Sequence, residues 1–149
     1  MGAFNYVGLI IIVLMMIPNL IYMYVNRNTK PVVYTDKELD TLEQIGRYGC
    51  FACMIVNFPY TYFDFWFKNA ELVYIIVSAV LMTCYMLCWI IFWKKTTMFK
   101  VLALSVLPSM MFLFTSIMLG SLLLFFFTLI FAPTHFIIGY RTVKLNQSK

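Results

Sequence analysis

The feature that most constrains this chain is a set of four long apolar tracts separated by short polar connections. A helix needs about 20 mostly apolar residues to cross a hydrocarbon core of roughly 30 Å, and each tract is long enough. Charged residues make up 11% of the chain and hydrophobic ones 63%, whereas soluble domains carry about 25% and 45–50%. One small core cannot bury so much apolar surface. The sequence therefore predicts an all-α integral membrane protein, with one membrane domain over residues 1–149.

The longest tract, Phe99–Tyr140, decides the number of spans. A single straight helix of that length would run about 63 Å at 1.5 Å per residue, roughly twice the hydrocarbon core. We therefore expect a tight turn near Gly120 and Ser121, which divides the tract into two spans. The chain is then a compact bundle of five transmembrane helices, over about residues 4–25, 46–67, 71–93, 99–118 and 121–140.

The distribution of Lys and Arg gives an independent test of this count. With five spans nearly all of them fall on one side of the bilayer, and only Lys68 falls on the other. A four-span chain would place the C-terminal tail opposite the other basic connections. Because cytoplasmic connections carry the excess of Lys and Arg, we predict an outside N-terminus and a cytoplasmic C-terminus. The expected location is the cell membrane, with a bacterial cytoplasmic membrane favoured.

The net charge of +5 does not indicate a nucleic-acid partner. The basic residues are scattered through short connections and form no basic face. Positive charge beside membrane spans is better explained as a topology signal. We therefore expect the lipid bilayer as a partner, together with another membrane protein or a second copy of this chain.

One polar segment, residues 36–45, precedes the second predicted span. Thr35 and Glu38 have the spacing of a capping box, in which the Thr side chain accepts from the backbone N–H three residues later and the Glu side chain accepts from the backbone N–H of the Thr. Leu39, Leu42 and Ile45 follow at intervals of three. This pattern predicts a short amphipathic helix on the cytoplasmic surface, which can run directly into the second span.

Polar residues near prolines inside the spans indicate a candidate binding site. A proline within a helix frees a backbone carbonyl and bends the helix, and broken helices beside polar groups recur at transporter sites. Three prolines inside the predicted spans have a polar residue close by in the sequence: Pro18 with Asn19, Pro59 with Asn57, and Pro133 with His135. His135 is the best single candidate, because an ionisable residue inside a span is a functional candidate by default. Simple kinks with interhelical hydrogen bonds are the structural alternative.

Glu43 and Arg47 form the second part of this candidate site. They are four residues apart, so on a helix they share a face and can pair. The pair either neutralises itself at the membrane boundary or binds an anionic headgroup or substrate. The sequence thus predicts a polar site that faces the cytoplasm and is lined by His135, Asn57, Asn19, Arg47 and Glu43.

Four cysteines suggest a thiol or metal alternative. Cys50 and Cys53 have the spacing used by dithiol and metal sites, and Cys84 and Cys88 share a face of the next span. The estimated depths of three of them match that of His135, which would allow a Cys/His cluster. Thiolates are unfavourable in lipid without a metal, and free cysteines are common apolar fillers. We therefore predict no cofactor.

Small residues in the same stretch predict close helix packing. Gly46 with Cys50 and Gly49 with Cys53 form two overlapping pairs of small residues four apart. Such pairs let two helix backbones approach closely in lipid. We expect packing to be the main reason for these small residues.

The functional prediction is a small multi-pass membrane protein that binds or transports a small ligand through the polar site. The alternative is a non-catalytic accessory or immunity-type subunit that binds another protein in the bilayer. A membrane thiol or lipid enzyme ranks third, because the sequence has no phosphate-binding loop and no recognisable catalytic set. Bulky residues at Gly46 or Gly49 are expected to disturb the second function, and His135→Ala or Asn57→Ala the first.

Overall fold

The structure, a computed structural model, describes residues 4–27, 34–63, 68–93 and 98–147. These residues form an all-helical fold, as the sequence predicts. Two isolated bridges pair Phe4 with Val56 and Tyr62 with Ser121. The helices in chain order are α1 Tyr6–Val25, α2 Lys37–Ile55, α3 Ala70–Ile91, α4 Met98–Met118 and α5 Leu122–Gln147.

Four helices, α1, α3, α4 and α5, are long and apolar enough to cross a membrane. Between 22% and 33% of the residues in their apolar stretches are buried inside the protein. Large apolar side chains such as Ile10, Ile76 and Phe126 therefore point outward. Soluble monomers seldom expose apolar surface of this extent, so the four helices are compatible with a multi-pass membrane protein.

The second helix differs from the prediction. The sequence predicts an amphipathic helix over 36–45 that can run directly into a span over 46–67. The helix is indeed continuous, but α2 covers only Lys37–Ile55. The backbone becomes extended at Val56. Pro59 has no N–H to bond the carbonyl of Ile55, four residues earlier, and this carbonyl accepts from the Asn5 N–H instead. The predicted span therefore extends too far at its C-terminal end, and its residues 64–67 lie outside the described part of the chain.

The start of α2 is fixed by Asp36. Its side chain accepts a hydrogen bond from the Glu38 N–H at 3.2 Å. The sequence analysis assigned the cap to Thr35, one residue earlier. Asp is as good a cap as Thr, and the carboxylate also suits the positive end of the helix dipole.

The predicted turn near Gly120 and Ser121 is confirmed. Gly120 has a φ of 59°, a left-handed conformation that glycine adopts without steric cost. The hydroxyl of Ser121 accepts a hydrogen bond from the Leu124 N–H at 3.4 Å, at the start of α5. The long apolar tract thus forms two antiparallel helices, of which α5 extends beyond the predicted boundary to Gln147.

The helices form a ring in the order α1, α3, α4, α5 and α2, and α2 closes the ring against α1. The pairing of Phe4 with Val56 brings the start of α1 to the end of α2, and the turn at Gly120 lies at this same end of the bundle. We call it the turn end. The opposite end carries the end of α1 at Val25 and the last turns of α5, and we call it the tail end.

Two glycines explain why α2 lies so close to α5. A Cβ atom at Gly46 would lie 2.8 Å from the backbone nitrogen of Phe131, and one at Gly49 would collide with the ring of Phe127. Real Cβ atoms do not approach a backbone that closely, so the two helices need glycine here. The predicted close packing therefore occurs within the chain, and bulky residues at these positions do not report on a protein partner.

Replacing Gly46 by leucine is expected to destabilise the α2–α5 pair. The new side chain would overlap the α5 backbone, which cannot move aside as a flexible side chain can, and we expect the free energy of unfolding to fall by about 3 kcal/mol. Thermal unfolding followed by circular dichroism in detergent measures this. Ala52→Leu is the matched control, because Ala52 is exposed on the same helix. Equal stability of the two variants would contradict the packing.

Candidate functional site

The centre of the candidate site is the buried carboxylate of Glu43, which is 3% exposed. Its Oε1 accepts a hydrogen bond from Arg47 Nε at 3.0 Å and a second one from the terminal guanidinium nitrogen of Arg47. The predicted i,i+4 pair is thus confirmed. The same oxygen lies 2.9 Å from Nδ1 of His135 on α5. We call these three residues the charged trio.

The position of His135 follows from the packing around it. Its ring stacks on the ring of Phe131 at a centroid distance of 4.7 Å, with an angle of 20° between the planes. Phe131 is itself the residue that packs on Gly46, so the same close approach brings the imidazole to Glu43. The imidazole ring is therefore held by stacking on its face and by the Glu43 carboxylate at Nδ1 on its edge.

Two members of the charged trio remain accessible. The side chain of Arg47 is 34% exposed and that of His135 is 28% exposed, whereas that of Glu43 is 5% exposed. A guanidinium has five N–H donors, and Glu43 engages only part of this set. The trio thus combines a fixed buried negative charge with a cation and an imidazole that can both reach a ligand.

Asn19 and Tyr85 extend this polar region onto α1 and α3. The Asn19 Nδ2 donates to the Tyr85 hydroxyl at 2.8 Å and to the Met15 carbonyl at 3.1 Å. The pairing of Phe4 with Val56 sets α1 and α2 in register, so Asn19 and Glu43 both lie about 20 Å along their helices from the paired residues. Four helices thus contribute polar groups at one depth, which we call the polar belt: Asn19, Glu43, Arg47, Tyr85 and His135.

The fifth predicted residue, Asn57, lies elsewhere. It is buried in the segment after α2, next to the residue that pairs with Phe4, so it belongs to the turn end. The helix between Glu43 and Ile55 rises about 18 Å. The structure therefore brings four of the five predicted polar residues together and separates Asn57 from them.

Tyr85 is not among the predicted site residues, although the sequence contains a signal for it. The buried face of α3 contains Ser78, Met82, Tyr85 and Trp89, spaced by three or four residues. A tyrosine on such a face buries its ring while its hydroxyl needs a partner. A search for polar tips on the inward faces of the apolar spans would have found it.

The cysteines do not form a combined site. Cys50 and Cys53 are buried on α2, and the Cys50 sulfur lies 3.7 Å from the Thr128 hydroxyl. Cys84 is exposed on α3 and Cys88 is half-buried there. In the described part of the chain, no group of three or more His, Cys, Asp and Glu residues could hold a metal ion. The C-x-x-C pair packs in the core as small side chains do.

An aromatic layer separates the polar belt from the turn end. It consists of Phe51, Phe112 and Phe131, with ring centroids 6.0 Å apart for the first pair and 5.4 Å apart for the second. Phe112 is 1% exposed and Phe131 is 3% exposed. Phe131 lies about one turn from His135 and Phe51 about two turns from Glu43, both on the side of the turn end. The layer therefore lies between the polar belt and the turn end.

Lys100 occupies an aromatic corner near the tail end. Its Nζ lies 4.8 Å from the ring centre of Tyr22 and 5.1 Å from that of Trp89, and it donates to the Trp93 carbonyl at 3.3 Å. These contacts stabilise a cation that is only 5% exposed. In the sequence, Lys100 contributes only to the topology signal, since its contacts with other helices cannot be predicted from its position in the chain.

No family model, curated protein or solved structure matches the chain. The chemistry of the polar belt therefore follows from its own groups.

The charge of the trio sets this chemistry. Arg47 contributes one positive charge and Glu43 one negative charge, so the trio is neutral when His135 is neutral and carries one positive charge when the imidazole is protonated.

Proposed function

We propose that this protein is a membrane transporter that binds a small monovalent anion, such as a carboxylate, nitrate or a halide, at the polar belt and carries it together with a proton. The observation that supports this most directly is the buried carboxylate of Glu43, which joins an arginine to a histidine of another helix. Chains of acidic residues and histidines inside membrane bundles are typical of proton relays. The site combines such a pair with an accessible guanidinium.

The proposed arrangement in the membrane has five spans, with the tail end in the cytoplasm. At 1.5 Å per residue α2 is about 28 Å long, which is close to the thickness of the hydrocarbon core. It lies antiparallel to α1, with its polar first half toward the tail end. Arg27, Lys37, Arg141 and Lys144 also lie toward this end, which agrees with a cytoplasmic location. We infer that α2 completes the bundle as the fifth span.

Charge balance explains why a proton and an anion would move together. With Glu43 ionised, Nδ1 of a neutral His135 carries the ring proton, and Nε2 is the atom that accepts another. The protonated trio has one positive charge, and one bound monovalent anion makes the loaded site neutral. A neutral load crosses the low-dielectric interior at much lower cost than a charged one.

Arg47 supports an anionic ligand in particular. A guanidinium binds carboxylates and similar oxyanions through paired N–H donors, and it stays charged under all ordinary conditions. Its partial exposure leaves room for a ligand beside Glu43. The aromatic layer would hold that ligand on the cytoplasmic side until the helices rearrange.

The test uses full-length protein in proteoliposomes with trapped pyranine, a fluorescent pH indicator. Chloride, nitrate and lactate are supplied as labelled probes. An inward proton gradient is expected to drive accumulation of at least one of them above the level in protein-free vesicles, and an inward gradient of that anion is expected to acidify the lumen. Absence of gradient-driven uptake of all three anions would contradict the proposal.

A second candidate function is an accessory or immunity-type membrane subunit. The observation that favours it is an apolar groove of about 500 Å³ between α4 and α5, on the outside of the bundle. Val106, Met110 and Phe136 line this groove, and small hydroxyl residues lie beside them. Apolar side chains with small neighbours suit the packing of another transmembrane helix. A protein that acts in this way does not need His135.

A further inference from the structure

The last two turns of α1 have few contacts with the rest of the bundle. The buried residues of α1 all lie between Gly8 and Pro18. Among the described residues of this helix after Pro18, only Asn19 and Tyr22 are partly buried, and the others are exposed. We call residues 19–25 the end segment. Its attachment to the bundle depends on these two side chains.

Pro18 separates the end segment from the packed part of α1. A proline has no N–H, so the carbonyl of Leu14, four residues earlier, lacks its usual donor in the helix. Sharp bends in helices occur mostly at such positions. Asn19 follows directly, and its Nδ2 donates to the Met15 carbonyl at 3.1 Å. The helix thus has a hinge position where its buried part meets its exposed part.

Tyr22 attaches the end segment to the aromatic corner. The centre of its ring lies 5.3 Å from that of Trp89 and 5.8 Å from that of Trp93. The ammonium group of Lys100 lies over the rings of Tyr22 and Trp89. A cation over an aromatic ring is held most strongly when it is shielded from water, and this one is buried. The corner therefore joins α1 to α3 and α4 beyond the hinge position.

The end segment covers one side of the polar belt. Asn19, its first residue, donates to the Tyr85 hydroxyl at 2.8 Å, and Tyr85 is only 3% exposed. Tyr22 packs on Trp89, which lies about one turn from Tyr85 toward the tail end. The belt is therefore covered on its α1 and α3 side, whereas two members of the charged trio are partly accessible.

Resting on the proposed function, we infer that the end segment is the cytoplasmic gate of the polar belt, with Pro18 as its hinge and Lys100 as its latch. Release of Tyr22 from the aromatic corner lets the segment swing outward and carries Asn19 away from Tyr85. The segment is about 10 Å long, so a bend of about 30° at the hinge moves its end by about 5 Å. This movement opens a path from the cytoplasm to the covered side of the belt.

The first experiment measures the movement without transport. Nitroxide labels are attached through p-acetylphenylalanine at Tyr24 on the end segment and at Phe99 on α4, two exposed aromatic positions of the full-length protein. Pulsed electron–electron double resonance in lipid nanodiscs gives the distance between them. Lys100→Met removes the cation but keeps a long side chain, so we expect a second population about 5 Å further apart. A distance distribution identical to that of the wild type would overturn the inference.

Further variants separate the latch from the hinge. Lys100→Arg keeps a cation that stacks on aromatic rings, so it should restore the short distance. Pro18→Ala returns an N–H to the Leu14 carbonyl, so in combination with Lys100→Met it should suppress the longer distance. Lys144→Met is the matched control, because it removes an exposed cation of α5 and should leave the distance unchanged. A longer distance that persists in the double variant would reject the hinge.

The role of the gate in transport is tested separately, in the same proteoliposome assay as the proposed function. Pro18→Ala is expected to slow proton-driven anion uptake about tenfold, because the stiffer helix opens less often. Pro108→Ala should not slow it, since α4 has buried residues on both sides of that proline. Unchanged uptake by the Pro18 variant would overturn the gate. If the wild type takes up none of the three anions, the proposed function fails, while the label distances still decide whether the end segment moves.

Discussion

Replacement of His135 by alanine is expected to reduce proton-coupled anion uptake to the level of protein-free vesicles. The chain contains one histidine, so no other imidazole can take over its protonation. Without it the trio cannot gain the positive charge that balances the anion.

Two further variants separate the proton from the packing. His135→Gln keeps a side chain that can donate to Glu43 but cannot be protonated, so it should be as stable as the wild type and as inactive as the alanine variant. Phe136→Leu changes an exposed neighbour and should leave uptake intact. Normal uptake by the glutamine variant would reject the proton-carrying role, and tolerance of both His135 variants would favour the accessory subunit.

Replacement of Glu43 by glutamine is expected to destabilise the fold and to uncouple the anion from the proton. Arg47 and His135 lose the carboxylate that they share, and removal of one member of a buried ionic group costs about 3–5 kcal/mol. Because Arg47 is one-third exposed, we expect the free energy of unfolding to fall by only about 1–3 kcal/mol. The remaining cation should hold the anion more tightly, because Glu43 no longer competes for the guanidinium.

A double variant tests this explanation. In the double variant Glu43→Gln and Arg47→Gln these two positions together have no net charge, as in the wild type. Its loss in free energy of unfolding should therefore be smaller than the sum of the losses in the two single variants. Chemical or thermal unfolding in detergent gives the three free energies. If the costs of the single variants simply add, Glu43 and Arg47 do not interact energetically and the charged trio is only a geometric association.

Those parts of the fold that depend on local sequence could be predicted. The turn at Gly120 follows from a tract too long for one span, and the pairing of Glu43 with Arg47 follows from helical spacing. The end of α2 was missed because Pro59 was interpreted as a kink, which lipid-buried helices tolerate, although proline more often ends a helix. A proline alone does not distinguish these outcomes.

Those parts of the site that depend on contacts between helices could not be predicted. His135 and Glu43 are 92 residues apart in the chain, and their contact exists because Gly46 lets α5 approach α2. Asn57 was grouped with His135 because both lie near prolines, but the early end of α2 leaves it at the turn end. Sequence spacing selects the polar residues, while the order of helices in the ring decides which of them meet.

The aromatic corner around Lys100 has a practical consequence. Trp89 and Trp93 lie 5.8 Å apart beside this lysine, and they are two of the three tryptophans in the chain. Indole emission responds to nearby charge and to water, so light emitted by these rings reports on the distance between the ammonium group and α3. The protein thus carries an intrinsic optical probe at its tail end, and ligand-dependent rearrangement of α1, α3 and α4 can be followed without a label.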